Sequence, residues 1–346
     1  MAYTTIDDPT IYFNTLLYTG NDADDRNITG VGFNPDWVWI KSRGGRGHQL
    51  YDVVRGANKG LATESTNAED SDANIMQSFI TDGFQVGSSA ESNSDGANYV
   101  SWNWKAGGSA SSNSDGSITS SVSANTTAGF SIVSYTGNQT AGATIGHGLG
   151  VAPSMMIVKS RNSANPWIVF HKSIGATKTI YLNLTNATYT ATNIWNDTAP
   201  TNSVFTVGSN DDSTNKSGEP HIAYCFAEKK GYSKFGSFTG NGNVDGSTIW
   251  TGFKPAWILV RNVEISEGFW VINDNKRNTF NPNSNTLVAQ NNNSVDAGTD
   301  RTDFLSNGFK LRTTSGAWNG SGNKIIYMAF AESPFVNSNG VPNNAR

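Results

Sequence analysis

Two tryptophans in polar surroundings are the residues of this sequence that most clearly suggest ligand chemistry. Trp195 lies in TNIWNDT and Trp318 in SGAWNGSG, and neither is part of an alternating strand pattern. Proteins bind sugars through aromatic ring faces and through polar loop groups such as Asn, Asp and main-chain amides. We therefore expect Trp195 and Trp318 to be exposed platforms for carbohydrate, and the alternative for both is packing beneath a loop. Other tryptophans fall on strand-like runs and are expected in the core: Trp37, Trp39, Trp102, Trp104 and Trp257.

Carboxylate pairs are the residues that would carry an enzymatic function here. A general acid and base for glycoside cleavage would be drawn from Asp22 with Asp24, Asp211 with Asp212, or Glu64 with Asp72. All of them lie in or beside polar loops, where solvated turn carboxylates are common, and they do not recur at matched positions. A G-x-S-x-G nucleophile motif does not occur. We expect no enzymatic activity, with a glycan-degrading enzyme as the less favoured alternative.

Metal and cofactor ligands are not arranged in any recognised spacing. The histidines show no HxH or HxxxH pair and are expected on the surface or in turns: His48, His147, His171 and His221. Cys225 is the only cysteine, which excludes a disulfide within one chain. The acidic loops at 21–26 and 209–215 offer oxygen ligands that Ca²⁺ accepts, without matching a fixed loop pattern. We expect no cofactor, and Ca²⁺ in these loops remains the alternative.

Composition indicates a weakly charged protein with long polar loops. Of 346 residues only 15% are charged, the formal net charge is −4, and glycine occurs 36 times. A nucleic-acid partner is not expected, because the chain has no basic stripe that would hold phosphates. No apolar run approaches the roughly 18 residues of a membrane span, and no secretion signal opens the chain. We expect a soluble protein made in a cytosol, without membrane insertion.

Four landmarks recur three times in the same order. An aromatic residue followed by TGN begins each copy, and a proline before an apolar run follows it. A Phe-centred strand comes next, and an aromatic strand closes the copy. The landmarks are Tyr18, Tyr135 and Phe238; Pro35, Pro153 and Pro255; Phe84, Phe205 and Phe309; and the runs YVSWNWKA (99–106), HIAYCFAE (221–228) and IIYMAFAE (325–332). Near-constant spacing indicates a tandem repeat of about 90–100 residues.

The run after each proline predicts a strand at the centre of a sheet. Trp37–Ile40 is apolar at every position, so both faces of the strand must be covered. The runs 155–158 and 257–260 read the same way. Lys41, Lys159 and Arg261 follow each run, and we expect the strand to emerge into water there. We also expect each copy to possess its own separate core.

Short strands with Gly/Asn turns and little helical periodicity predict an all-β fold. The expected architecture is three tandem antiparallel β-sandwich repeats of jelly-roll or lectin-like type. The expected boundaries are an N-terminal attachment segment (1–15), repeat 1 (16–106), a Ser/Gly/Asn-rich linker (107–129), repeat 2 (130–228), repeat 3 (229–334) and a C-terminal tail (335–346). The linker is expected to be mostly extended, with light pairing at SITSSVS, so that repeat 1 moves relative to the other two.

Several stretches resemble an uncharacterised domain of virion proteins of marine tailed phages. They are YTGN, GFNPDWVWIK, LYDVVRGANKGL (50–61), DGFQVGS, SWNWKA, SKFGSFTGNGNVDG (233–246) and MAFAESPFVNSNGVPNNAR (328–346). The resemblance covers nearly the whole chain and implies a tail-fibre, head-fibre or decoration protein with a sandwich shaped like legume-lectin domains. It brings no catalytic residues. Repeat 2 departs from the pattern, with MMIVK in place of WVWIK.

The resemblance and the composition together predict a non-enzymatic protein of the virion surface, assembled in the host cytoplasm. The first hypothesis is a tail-fibre or receptor-binding component whose partners are a tail adaptor and host surface polysaccharide. The alternative is a capsid decoration or head-fibre protein that binds the major capsid protein. A homo-oligomer is expected in either case, and a homotrimer by analogy with how such fibres are built.

Overall fold

The chain folds almost entirely into antiparallel β-sheets, as its sequence predicts. The computed structural model describes residues 3–209, 213–292 and 297–344, with side chains described everywhere in these ranges except 297–300. Helix in these ranges is limited to a 3-10 turn, Pro9–Ile11, and the short helices α1 (Thr192–Trp195) and α2 (Gly316–Asn319). None of them has the length and apolar character needed to cross a membrane.

The strands fall into three successive sets, called here units 1, 2 and 3. Unit 1 contains β1 (Phe13–Thr19), β2 (Arg26–Thr29), β3 (Trp37–Ser42), β4 (His48–Asp52), β5 (Gly56–Leu61), β6 (Asp70–Ser71), β7 (Met76–Ile80), β8 (Gly83–Val86) and β9 (Asn98–Trp104). A hairpin of β10 (Ser111–Asn113) and β11 (Ser120–Asn125) follows. Unit 2 contains β12 (Phe130–Thr136), β13 (Ala143–Gly146), β14 (Met155–Ser160), β15 (Ile168–His171), β16 (Lys178–Tyr181), β17 (Tyr189–Thr190), β18 (Val204–Val207) and β19 (Pro220–Phe226). Unit 3 contains β20 (Ser233–Thr239), β21 (Thr248–Trp250), β22 (Phe253–Asn262), β23 (Val271–Asp274), β24 (Asn283–Val288), β25 (Ala297–Leu305), β26 (Gly308–Leu311) and β27 (Lys324–Pro334).

Each unit has an inner sheet with the same strand order. The orders are β1-β9-β3-β4-β5-β6, then β12-β19-β14-β15-β16-β17, then β20-β27-β22-β23-β24. The outer strands are β2-β8-β7 in unit 1 and β13-β18 in unit 2, whereas in unit 3 β25-β26-β21 continue the inner sheet. The repeated landmarks occupy matching places, because Trp37, Met155 and Trp257 each lie opposite the closing-strand residue Trp104, Phe226 or Phe330.

The doubly apolar strands are central, as predicted. β3, β14 and β22 each have a neighbour on both sides, and their apolar residues are buried. Alternate side chains enter different cores, because successive residues of a strand point to opposite faces. In β3, Trp37 and Trp39 face inward, whereas Val38 and Ile40 contribute to a core within unit 1. The two faces of this strand thus serve two separate cores.

The inward faces of all three units meet in one shared core, which corrects the expectation that each copy has a fully separate interior. The Phe330 ring stacks on Phe13 of unit 1 at 5.1 Å between centroids and lies 6.2 Å from Phe226 of unit 2. Trp37 of unit 1 lies 4.7 Å from the Tyr224 ring of unit 2. Each unit therefore has a small outer core of its own and depends on the other two for its inner face.

Equivalent hydrogen bonds close the three units into a ring. A side chain at or just before the start of β4, β15 and β23 reaches a main-chain carbonyl of another unit. The pairs are Trp167 Nε1 to Ala62 O (2.9 Å), Trp270 Nε1 to Tyr181 O (2.8 Å) and His48 Nε2 to Val288 O (3.0 Å). Unit 2 thus contacts unit 1, unit 3 contacts unit 2, and unit 1 contacts unit 3. The arrangement has the pattern of a cyclic trimer formed within one chain.

The cations after the central strands are buried, so the prediction that the strands emerge into water there is wrong. Lys41, Lys159 and Arg261 each have 0% exposure. The Lys159 ammonium donates to the carbonyl oxygens of Ser160 and Ser163, at 2.8 and 3.0 Å, and burial lowers its pKa to about 8. Burial likewise lowers the pKa of Arg261 to about 9. Neighbouring units and loops cover these strand ends, since Arg261 donates to the Asn186 carbonyl of unit 2 and Lys159 to the Ser163 carbonyl of the loop that follows its strand.

The predicted linker, 107–129, is largely folded, which corrects the expectation of a mostly extended segment. The β10–β11 hairpin adds to β12 and extends the inner sheet of unit 2, and Val122 packs into the core of that unit. Unit 1 is not detached either. Its Asp52 carboxylate accepts a hydrogen bond from the Tyr224 hydroxyl at 2.8 Å, and its Glu69 pairs with Arg161 at 2.8 Å. The expected movement of unit 1 as a separate body is therefore not supported by this packing.

Both terminal segments lie against the body. Ile6 is 3% exposed and contributes to the shared core. The Asp7 carboxylate accepts a hydrogen bond from the Ser338 N–H at 2.7 Å, which holds the first and last described segments together. An attachment role for residues 1–15 remains a prediction.

Candidate functional site

The two tryptophans expected to be platforms are buried. Trp195 is 1% and Trp318 is 2% exposed, at the end of α1 and within α2. Trp195 packs edge-on against Phe170 at 5.9 Å, and the Arg301 guanidinium lies 5.5 Å from the Trp318 ring. Neither ring face is available to a sugar, so the expectation of exposed platforms at Trp195 and Trp318 is wrong. Packing beneath a loop is the alternative that describes both.

Trp250 is the one exposed indole among the ten tryptophans of the chain, with 65% of its surface accessible. It ends β21, which lies at the edge of its sheet. Ile249 points into the core of unit 3, so strand alternation turns Trp250 outward. Across the ladder it faces Gly308, which has no side chain to cover the ring. The local backbone thus holds an aromatic face open to solvent.

A cleft of about 410 Å³ lies beside Trp250 where three segments of the chain meet. These are the N-terminal segment, the turn between units 2 and 3, and the edge around β21. The residues that line the cleft include Tyr3, Glu228, Lys230, Ser233, Lys234 and Trp250. The Tyr3 hydroxyl donates to the Gly252 carbonyl at 2.8 Å, and the Thr4 hydroxyl donates to the Lys230 carbonyl at 2.8 Å. These two bonds fix the N-terminal segment as one wall of the cleft.

Charge in the cleft is positive in balance. The Glu228 carboxylate is held between Lys172 at 2.7 Å and Lys234 at 3.1 Å. Burial raises the pKa of Glu228, but the hydrogen bonds and charges of the two lysines outweigh it and lower the pKa overall. The Lys230 ammonium lies 4.5 Å from the centre of the Tyr3 ring, a cation–π contact. Within the described residues, no carboxylate is paired with Lys230.

This arrangement offers the features that bind a sugar. The indole face of Trp250 can stack on the apolar face of a pyranose ring. The Glu228 oxygens can accept hydrogen bonds from a sugar, while the lysine ammonium groups can donate them. A carboxylate whose pKa is lowered stays ionised at neutral pH, so Glu228 is suited to accept hydrogen bonds and not to protonate a leaving group.

Of the predicted carboxylate pairs, the structure describes Asp22 with Asp24 and Glu64 with Asp72, and each of these carboxylates accepts a hydrogen bond from another residue of the chain. Asp22 accepts from the Asp95 N–H, and Asp24 from the Gln77 side chain, both in exposed turns. Glu64 accepts from the His48 N–H, whereas Asp72 caps the Asn74 N–H. The pair Asp211 and Asp212 lies outside the described residues, as does most of the acidic part of loop 209–215. Elsewhere in the described ranges no three His, Cys, Asp or Glu residues gather as a metal site would require.

The histidines are buried, which corrects their expected placement on the surface. His48, His147, His171 and His221 each have 0% exposure. Burial lowers the pKa of every one of them, to about 4 for His171 and His221. His48 and His171 contact carbonyls of another unit and hold units together. These contacts give His48 and His171 a structural role.

The sequence pattern did not identify Trp250 as a candidate for binding, because a tryptophan on a strand usually packs in a core. A comparison of the units gives the signal that identifies it. The residue opposite the start of the Phe-centred strand is Thr29 in unit 1, Gly146 in unit 2 and Trp250 in unit 3. The fold therefore does not require an aromatic ring at this position. A large aromatic that departs from its own repeat and is exposed is a candidate for binding.

Comparison with known families found a match that covers most of the chain. A family model described as a domain of unknown function, DUF7483, matches residues 8–334. The chain therefore belongs to the DUF7483 family. No curated protein and no solved structure matches it.

Proposed function

We propose that this member of a family of unknown function is a non-enzymatic surface protein that binds carbohydrate through the Trp250 cleft. In this proposal Trp250 is the stacking platform, and the Glu228 carboxylate accepts hydrogen bonds from sugar hydroxyls. The resemblance of its repeated motifs to tailed-phage virion proteins supports a place on the virion surface, where the carbohydrate is a host polysaccharide. A homotrimer would present three such clefts and gain strength through multivalency.

The exposure of Trp250 is the observation that carries the proposal. Each of the other nine tryptophans is almost fully buried, so burial of the indole is the rule in this fold and Trp250 is the exception. An open ring costs stability that burial would provide, at about 25 cal/mol per Å² of apolar surface. Trp250 also stands beside a cleft whose volume lies in the range of small-ligand sites and which contains donors and acceptors. A role in ligand binding explains why the Trp250 ring is exposed.

Binding without cleavage is supported by the state of Glu228. A glycosidase needs a carboxylic acid whose pKa is raised, so that it can protonate the glycosidic oxygen. The two lysines at Glu228 lower its pKa instead. The arrangement at the cleft therefore holds a sugar by hydrogen bonds and stacking without a proton donor of the required kind.

Glycan-array and titration experiments with the full chain test the proposal. Trp250→Ala is expected to weaken binding to any saccharide that the native protein recognises by about 10-fold or more, because the loss of a stacked ring exceeds about 1.4 kcal/mol. Trp250→Phe keeps a ring and is expected to retain much of the affinity. Phe280→Ala is the matched control, since Phe280 is 81% exposed and does not line the cleft. An array without any binding, or binding unaffected by Trp250→Ala, would reject the proposal.

A further inference from the structure

The Trp250 cleft is lined by a lysine, Lys230, whose charge is not neutralised by any carboxylate of the described residues. Lys172 and Lys234 share the single carboxylate of Glu228, so this group of three has one positive charge in excess. Lys230 adds a second, and within the described residues it pairs with no carboxylate. The chain as a whole has a formal net charge of −4. The local charge of the cleft is thus opposite in sign to that of the protein.

Lys230 is also held in place. Its carbonyl accepts from Thr4, and its ammonium lies over the Tyr3 ring, which is itself fixed by the bond from the Tyr3 hydroxyl to Gly252. A lysine at an ordinary surface position samples many rotamers and loses them when it binds. Here the cation–π contact reduces the loss of side-chain entropy on binding. The Lys230 ammonium is already positioned in the cleft that Trp250 also lines.

We propose that the cleft selects an acidic saccharide, whose ring stacks on Trp250 while its carboxylate or sulfate group pairs with Lys230. This inference rests on the proposed carbohydrate-binding function and specifies the class of sugar. A charge-assisted hydrogen bond from an ammonium to an oxyanion is stronger than the neutral bond that an uncharged sugar would make. Because the cleft is open to solvent, the preference for acid should be moderate and should decrease with salt.

Matched saccharide pairs test the inference with the full-length protein. The first pair is an oligogalacturonate and its methyl ester, which differ in charge and keep the same sugar rings. The second pair is a sulfated galactan and its desulfated form, so that the two arms distinguish a carboxylate from a sulfate ligand. We expect at least one acidic member to bind about 3- to 5-fold more tightly than its neutral counterpart at low salt. The difference should shrink as NaCl is raised from about 0.05 to 0.5 M.

Three lysine variants identify the group responsible. Lys230→Gln should reduce the affinity for the acidic saccharide to that of its neutral counterpart, and Lys230→Arg should preserve the difference. Lys178→Gln makes the same change of charge on an exposed residue of β16 that does not line the cleft, and should leave the difference unchanged. If both members of each pair bind equally while Trp250→Ala still weakens binding, the acidic preference is refuted and the carbohydrate function stands. If no saccharide binds, the proposed function itself is refuted.

Discussion

Substitution of Phe330 by alanine tests whether the three units depend on one shared core. The Phe330 ring is 1% exposed. It stacks on Phe13 at 5.1 Å, lies 5.7 Å from Trp104 of unit 1, and lies 6.2 Å from Phe226 of unit 2. It also lies 6.1 Å from Trp257 of its own unit, so its side chain has aromatic neighbours in all three units. The variant therefore leaves a cavity that all three units border.

The expected loss of unfolding free energy is about 3–5 kcal/mol, the range for Phe→Ala in a well-packed core. The upper part of the range applies, since aromatic pairs contribute about 0.5–1.5 kcal/mol each beyond the area that they bury. Phe330→Leu retains most of the volume and should cost less than about 1.5 kcal/mol. Phe309→Ala is the matched control, because Phe309 is 0% exposed and packs in the outer core that belongs to unit 3 alone.

Urea unfolding measures the loss, and hydrogen exchange resolved along the chain shows where it acts. Phe330→Ala should speed amide exchange in β3 of unit 1 and β14 of unit 2 as well as in β22, because the shared core supports all three strands. Phe309→Ala should concentrate its effect in the outer strands of unit 3. Faster exchange confined to unit 3 in both variants would refute the shared core and favour independent units.

Two further predictions concern a buried amide and buried histidines. Asn215→Ala should lower the unfolding free energy by about 2–3 kcal/mol in urea titrations, because it leaves the carbonyls of Thr140 and Gly208 without their donor; no loss would mean that water replaces the amide. His221, whose pKa burial lowers to about 4 from 6.5, stabilises the fold fully above pH 6.5 and loses that contribution as the pH falls to about 4. His221→Gln should therefore flatten the acid side of the stability profile by about 3 kcal/mol across this window, and an unchanged slope would contradict the assignment.

Buried asparagines form a second repeated feature that the sequence contains and that pattern reading overlooked. Asn93, Asn215 and Asn319 are each almost fully buried, and each accepts a hydrogen bond from the N–H of the Asn in a TGN turn. The glycine of each turn passes so close to a facing backbone that an added Cβ would lie 2.0–2.4 Å from a carbonyl oxygen. The TGN landmark is therefore a packing motif. It recurs because each unit needs the same close contact.

Side-chain exposure was the property that local sequence predicted least well. Trp195 and Trp318 have polar neighbours, yet a single helical turn directs each ring inward, because the surrounding Asn and Gly residues supply the turn and leave the indole to fill the core. Trp250 has the neighbours of a core strand, yet it ends an edge strand opposite a glycine. Polarity along the chain indicates where turns occur, whereas exposure depends on which distant segment covers a side chain.

The sequence alone determined the all-β fold, the order of the repeated landmarks and the central place of the strands at Trp37, Met155 and Trp257. These follow from short-range rules, namely alternation, turn chemistry and spacing, which act within a few residues. Only the tertiary structure decided what covers the second face of those strands, why Lys159 and Arg261 are buried, and that Trp250 stands open beside Lys230. An apolar strand face in the sequence indicates that some other segment must cover it, but not which segment. The reason is that the hydrophobic effect depends on buried area and has no direction.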